Sequence, residues 1–262
     1  MTRTLTPDQV QEAIERYSMG ESGHSIGKSL GVTGSAIYSM LNRRGVTRRA
    51  PGPAPLPMNH ERFDELDEES LYWLGFIAAD GSIVPNKDGS DALSIGLSVK
   101  DLNHLEKFRD FLGSSHSINH YTGNGSYGAH EIIQLKTRSQ IVTNRLRNLG
   151  VKGPTISEEL TQSRDFWRGM IDGDGSIGNR PDKASVALCG YLYVLEPYTK
   201  FLKEHLGIKS NITPMHSIYR VRVGIGNAYK VIDYLYRDNN ISLDRKQALA
   251  DKTLEYFDNR RK

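Results

Sequence analysis

WLGFIAADGSI at 73–83 and WRGMIDGDGSI at 167–177 are one segment written twice. Seven of the eleven aligned positions are identical: Trp73/Trp167, Gly75/Gly169, Ile77/Ile171, Asp80/Asp174, Gly81/Gly175, Ser82/Ser176 and Ile83/Ile177. The two aspartates stand 94 residues apart, the size of a small domain. Alone, either Asp-Gly reads as a common helix-end turn. A duplicated apolar segment ending in Asp-Gly predicts two related half-molecules, each presenting one carboxylate at a shared seam.

The small residues support that seam. Gly75 and Gly169 fall mid-helix, where glycine costs roughly 1 kcal/mol relative to alanine. Close approach of two helices would offset the cost, and Ala78, Ala79 and Gly173 keep the same surface small. Gly81 and Gly175 end each helix, where a positive φ is expected. Asp80 and Asp174 would then sit side by side and repel unless a cation lies between them. Carboxylate oxygen ligands and open water positions favour Mg²⁺, with Mn²⁺ or Ca²⁺ as other divalent ions of the same use. Asp172 has no acidic partner, because Ala78 occupies the matching position. It is expected to be structural or to support the pair.

The flanks repeat as well. DALSIGLSVKD at 91–101 alternates, with Leu93, Ile95, Leu97 and Val99 on one side and Ser94, Gly96, Ser98 and Lys100 on the other. SVALCG at 185–190 is its counterpart. Helical segments follow at 105–113 and 195–207, strands at 116–122 with 129–138 and at 210–215 with 217–225, and helices at 139–149 and 227–238. Each half therefore reads αββαββα, an α+β architecture. One strand face carries Gln134, Lys136 and Arg138 in the first half, and Arg220 and Arg222 in the second. Strands with one apolar face and one Arg/Lys/Gln/Ser face suit a sheet backed by helices and fronted by nucleic acid.

Upstream lies a different module. Residues 7–49 read as short helices, opened by Thr6-Pro7, turned at Gly31 and capped again at Thr33. The last helix carries Ser35, Tyr38, Ser39, Asn42 and Arg43 on its outer face, and Arg43, Arg44, Arg48 and Arg49 follow within seven residues. PGPAPLP at 51–57 has proline at every second position and should run extended as a linker. The division expected is 1–50 for the basic module, 51–60 for the linker, 61–155 for the first repeat and 156–262 for the second. Asp67 and Ser163 are the expected caps of the two motif helices.

Composition sets the outer bounds. With 34 basic and 31 acidic side chains, the net charge of +3 permits a polyanionic partner without demanding one. The single cysteine, Cys189, rules out an intramolecular disulfide and a cysteine metal cluster, and is expected to be a small core residue. His116 and His120 are four apart without a third ligand, so no zinc site is expected. No apolar run approaches the ~20 residues that cross a membrane, and an early acidic N-terminus fits no leader, so an intracellular protein is expected.

The paired segments resemble the LAGLIDADG homing endonucleases, in the form that carries both motifs in one chain. The resemblance covers about 65–250, and residues 7–49 resemble helix-turn-helix DNA-binding modules. Two departures are Trp73 and Trp167, where leucine is usual, and Ala78, which replaces a common first aspartate. The resemblance implies a saddle of two pseudo-symmetric halves, a monomer that needs no second copy, with divalent metal at the feet of the motif helices. It implies site-specific hydrolysis of both strands of DNA at a long asymmetric target, and a link to intron or intein mobility. It implies catalytic roles for Asp80 and Asp174, and for a lysine after the last helix of each half, Lys152 and Lys246. Asp101 is a candidate for orienting water. The same fold also serves DNA-binding transcription regulators without catalysis and RNA-binding splicing maturases. Retention of both acids argues against the first, and major-groove readout, which fails on A-form RNA, against the second.

Overall fold

The protein is described by a computed structural model over residues 5–18, 21–47, 56–86, 89–125 and 128–260. Arg48, Arg49 and the proline-rich stretch 51–55 lie outside the described residues. The chain divides into two units, 1–56 and 57–262, each taken here by itself. Pro57 and Asn59, counted with the linker in the sequence reading, are bonded into the second unit. The Pro57 carbonyl accepts from Ser115 N at 3.2 Å, and Asn59 N donates to the Leu112 carbonyl at 2.7 Å.

Among its described residues the first unit holds three helices: α1 (Pro7–Ser18), α2 (Gly23–Leu30) and α3 (Gly34–Arg43). Gly31 ends α2 at φ 71°, and the Thr33 side chain accepts from Ala36 N, so the expected turn and cap are both present. Ala13, Tyr17, Ile26, Leu30, Ile37, Met40 and Leu41 form its small core.

The second unit repeats one element order. The first half runs α4 (Glu68–Asp80), β1 (Gly81–Pro85), β2 (Asp91–Ser98), α5 (Leu102–Phe111), β3 (Ile118–Gly125), β4 (Gly128–Arg138) and α6 (Gln140–Asn148). A one-turn helix, α7 (Glu158–Thr161), leads into the second half. That half runs α8 (Arg164–Asp174), β5 (Gly175–Ile177), β6 (Ser185–Gly190), α9 (Leu192–Leu206), β7 (Ile212–Met215), β8 (Ile218–Gly224) and α10 (Ile225–Tyr236). The two antiparallel sheets have matching orders, β1-β2-β4-β3 and β5-β6-β8-β7. A further helix, α11 (Asp244–Asn259), follows the second half and was not anticipated from the repeat.

Caps fix where the motif helices begin. The Asp67 carboxylate accepts from Ser70 N, and the Ser163 hydroxyl accepts from Asp165 N and Phe166 N. Glu68 and Glu69 complement the positive end of α4. Inside α4, Tyr72 through Ile77 are all buried. A helix apolar all round must be covered on every side, here by α8 and by its own half. Trp73 and Trp167 anchor equivalent cores, packing at 4.9 Å against Phe108 and Tyr198, one in each half.

Candidate active site at the foot of the paired helices

The seam is backbone against backbone. An ideal Cβ on Gly75 would lie 2.0 Å from the Phe166 carbonyl oxygen, and one on Gly169 would lie 2.1 Å from that of Tyr72. Lower down, a Cβ on Gly173 would fall 2.3 Å from Ala79 Cβ. This close approach accounts for the mid-helix glycines. Gly81 and Gly175 serve differently from expectation. Their φ values are −77° and −92°, both extended, so no left-handed turn ends these helices. Glycine is required because a Cβ at either position would press within 2.7 Å of the Ile77 or Ile171 carbonyl.

The helices end together, and the Asp80 and Asp174 side chains reach solvent there. Desolvation by the surrounding protein, then the neighbouring Asp174 charge, pushes the Asp80 carboxyl up to about 6. Desolvation also raises Asp174, opposed by Lys152 and Lys246. Mutual repulsion at an exposed carboxylate pair is the signature of a site short of positive charge.

The two lysines stand 94 residues apart, the same spacing as the aspartates. Each caps the C-terminus of its own motif helix, where carbonyls lack partners. Lys152 Nζ donates to Ala78 O at 2.7 Å and to Ala79 O at 2.8 Å. Lys246 Nζ donates to Ile171 O at 2.5 Å, Asp172 O at 2.6 Å and Gly175 O at 2.8 Å. Their surroundings differ. Lys152 is exposed, sits at φ 63°, and uses two of its three protons on those carbonyls. Lys246 is 3% exposed, on the first turn of α11, with its protons fully engaged. Burial lowers the Lys246 ammonium to about 8. It acts on the carboxylates through its field, whereas Lys152 retains a proton for an incoming oxygen.

Asp172 faces the core. Its carboxylate accepts from Tyr72 Oη at 2.8 Å, Tyr236 Oη at 2.7 Å and Leu243 N at 2.7 Å. Tyr72 Oη also lies 3.0 Å from His104 Nε2. Since the Tyr72 proton goes to Asp172, Nε2 of His104 is the donor. Burial pushes His104 down to about 3, so the ring is neutral. The network ties α4, α5, α8, α10 and α11 together and fixes the seam that carries the carboxylates. Asp101 is ion-paired with Arg245, Oδ1 to Nε at 3.1 Å, a contact across 144 residues of sequence.

Of the strand positions expected to face a ligand, Ser98, Lys100, Arg138 and Arg222 are exposed, and Gln134, Lys136 and Arg220 are half-buried. Ser94 is buried although it shares their parity. The register aligns Gly96, Gln134 and Asn119 across three strands, so Asn119 and exposed Tyr121 extend this face in β3. Strand alternation alone could have identified both. Cys189 is not a core residue: it is half-exposed on β6, opposite Arg220. Val186 and Leu188 take the buried parity there. His116 precedes β3 and bonds Ser114 Oγ through Nδ1 at 2.7 Å.

On α3, Ser35, Ser39, Asn42, Arg43 and Arg44 are exposed. Tyr38 turns inward instead. Its hydroxyl accepts from Gly23 N at 3.2 Å, and its ring packs edge-on against Tyr17 and His24.

Among the described residues no cluster of three or more His, Cys, Asp or Glu side chains could hold a metal. Two exposed carboxylates are nevertheless the donor set that suits an Mg²⁺-like ion, which keeps waters and takes substrate phosphate as further ligands. Among the described residues no helix is long and apolar enough to cross a membrane.

No protein-family model and no curated protein matches the chain. Solved structures do. The I-SmaMI LAGLIDADG homing endonuclease bound to cleaved DNA is similar over 75% of this chain and 91% of that one, at a TM-score of 0.51 and 16% identity. I-DmoI in complex with DNA and Ca is similar over 74% and 99%, at 0.50 and 14%. I-WcaI bound to its DNA recognition sequence is similar over 71% and 82%, at 0.50 and 12%. At such identities the likeness is one of fold.

Proposed function

We propose, starting from a chain that has the fold of the LAGLIDADG homing endonucleases, that it is a site-specific endonuclease cutting both strands of double-stranded DNA. The observation that carries the reading is the pair Asp80 and Asp174, exposed side by side at the foot of a glycine-packed seam, each beside a lysine at the same repeat spacing. That the similar structures are DNA complexes, one with calcium, supports the same reading.

In this reading Asp80 and Asp174 hold a divalent cation, most simply Mg²⁺. Bound there, such an ion supplies positive charge to the attacking and leaving oxygens of a phosphodiester. Lys152 donates its free proton position to a phosphate oxygen, while Lys246 holds α8 and biases the carboxylates toward ionisation. The sheet faces bearing Gln134, Lys136, Arg138, Arg220 and Arg222 lie along the duplex, with Ser98 at the end of β2 and Lys100 on the 3₁₀ turn that follows it rather than on the strand. The halves have diverged, so the preferred target is long and not palindromic. One chain supplies both carboxylates, so a monomer suffices.

The deciding experiment is cleavage of a randomised duplex library with Mg²⁺ or with EDTA. Mg²⁺-dependent double-strand cuts concentrated at one asymmetric sequence are expected. Selective binding with no cut under any divalent ion would make the chain a regulator on a nuclease scaffold.

The first unit is proposed as a second DNA contact through Ser35, Asn42, Arg43 and Arg44, continued by Arg48 and Arg49. Replacing Arg43 and Arg44 with alanine is expected to flatten the slope of log affinity against log salt by about one to two. An unchanged slope would place those guanidiniums off the phosphates.

A further inference from the structure

The two halves differ at one charged pair. Strand register equates Ile95 with Leu188, because each pairs with the glycine that follows its catalytic aspartate. Core packing equates Phe108 with Tyr198, because each lies 4.9 Å from its motif tryptophan. Between these anchors the first half has three more residues than the second. The surplus lies before the helix: counted back from Phe108 and Tyr198, Asp101 falls on Tyr191, each the residue just before its helix, so Asp101 has no charged counterpart. Its partner Arg245 has none either. The residue 94 positions earlier is Val151, which is 1% exposed.

Arg245 is held where α11 meets the foot of α8. It precedes Lys246, whose ammonium sits on the last carbonyls of α8. Asp244, just before it, bonds Asn103 Nδ2 at 2.8 Å and Lys107 Nζ at 2.7 Å, clamping the start of α11 to the first half. Arg245 Nε meets both Asp101 oxygens, at 3.1 and 3.3 Å. Its two terminal nitrogens have no protein partner among the described residues, and its side chain is 55% exposed. Its charge favours the ionised form of Asp80. A guanidinium fixed at Nε with its outer edge open is built to present two parallel donors to an oxyanion.

We infer that Arg245, oriented by Asp101, contacts the scissile phosphate of one strand only, so that the two strands are cut at unequal rates and in a fixed order. The inference rests on the nuclease reading and adds strand asymmetry to it. Arg245 is the contacting group, and Asp101 is a positioning residue that acts through it.

The test is strand-resolved cleavage of the library-selected duplex, each strand carrying its own end label, with a parallel measurement of duplex binding against salt. Wild type is expected to pass through a nicked intermediate cut in one defined strand. Arg245→Ala should slow that strand by about 10- to 100-fold, in the range of a lost oxyanion donor, and leave the other nearly unchanged. Asp101→Asn should slow the same strand by less. The salt slope of Arg245→Ala should fall by about one, and Arg245→Lys should keep it. Equal slowing of both strands, or of neither, would overturn the inference even with the nuclease reading intact. A wild type that cuts neither strand would instead remove the nuclease reading. In that case an unchanged salt slope for Arg245→Ala would also take Arg245 off the phosphate.

Discussion

Asp80→Asn should abolish double-strand cleavage, by a factor of at least about 10³, while making the ion-free protein more stable above pH 6. The activity loss follows from removing one of the two carboxylates proposed to hold the cation and replacing it with a neutral amide, a weaker ligand for a hard ion. The stability gain follows from linkage. Burial and the Asp174 charge raise the folded Asp80 carboxyl from 3.8 to about 6. The folded state therefore binds more protons than the unfolded chain between those values, and stability falls as pH rises through that window. Asparagine carries no proton to lose, so the variant should lack the fall. The side chain meets solvent, so water screens much of the effect, and about 1 kcal/mol is expected. Melting in EDTA from pH 4 to pH 8 would show it, as a gap of a few degrees between wild type and variant that closes at the acid end. Mg²⁺ should reverse the order by stabilising wild type and not Asp80→Asn, since an ion that binds only the folded site adds to its stability. Asp174→Asn should likewise stop double-strand cutting. A variant that is no more stable at pH 8 than at pH 4, relative to wild type, would mean the pair is not strained.

The elements carrying this site were legible because their signals are local. Capping at Asp67 and Ser163 and strand alternation depend on neighbours in sequence, and the glycine seam, a contact between distant helices, is announced by the duplicated segment itself. What escaped depends on contacts between distant segments. Helix α11 lies outside the repeat, and its sequence DRKQALADKTLEYFDN is largely polar, so nothing in the duplication announced it. Yet it delivers Lys246 to the carbonyls of α8 and Arg245 to Asp101. Asp101 reads as a candidate for orienting water, and its ion-pair partner, 144 residues away, leaves no local signal. Tyr38 and Cys189 depart from their sequence expectations for a different reason. Residue type outweighed geometry: a tyrosine at an outward helical position turned in to bond Gly23, and a cysteine on the exposed parity of β6 was assigned to the core.

Gly75→Ala and Gly169→Ala should each destabilise the second unit by about 3 kcal/mol, the upper part of the range for overpacking. The added methyl at Gly75 would stand 2.0 Å from the Phe166 carbonyl oxygen, and at Gly169 it would stand 2.1 Å from that of Tyr72. Both obstructions are backbone, so no rotamer change relieves them, and α4 and α8 must separate along their shared length. The helix-propensity gain of alanine over glycine, about 1 kcal/mol, offsets only part of this. Once one methyl has forced the helices apart, much of the room for the second exists. The double variant should therefore lose less than the sum of the single losses, as expected for sites in direct contact. Separation also moves Asp80 from Asp174, so cleavage should fall in variants that remain folded. Gly226→Ala is the control: this glycine is in α10, and nothing lies within 4 Å of its added Cβ. It should be neutral or stabilising by up to about 1 kcal/mol. Urea unfolding of the four variants beside wild type would measure all of this. Seam variants no less stable than Gly226→Ala would show that the helices pack with slack, removing the reason for glycine at both positions and the constraint that holds the carboxylates together.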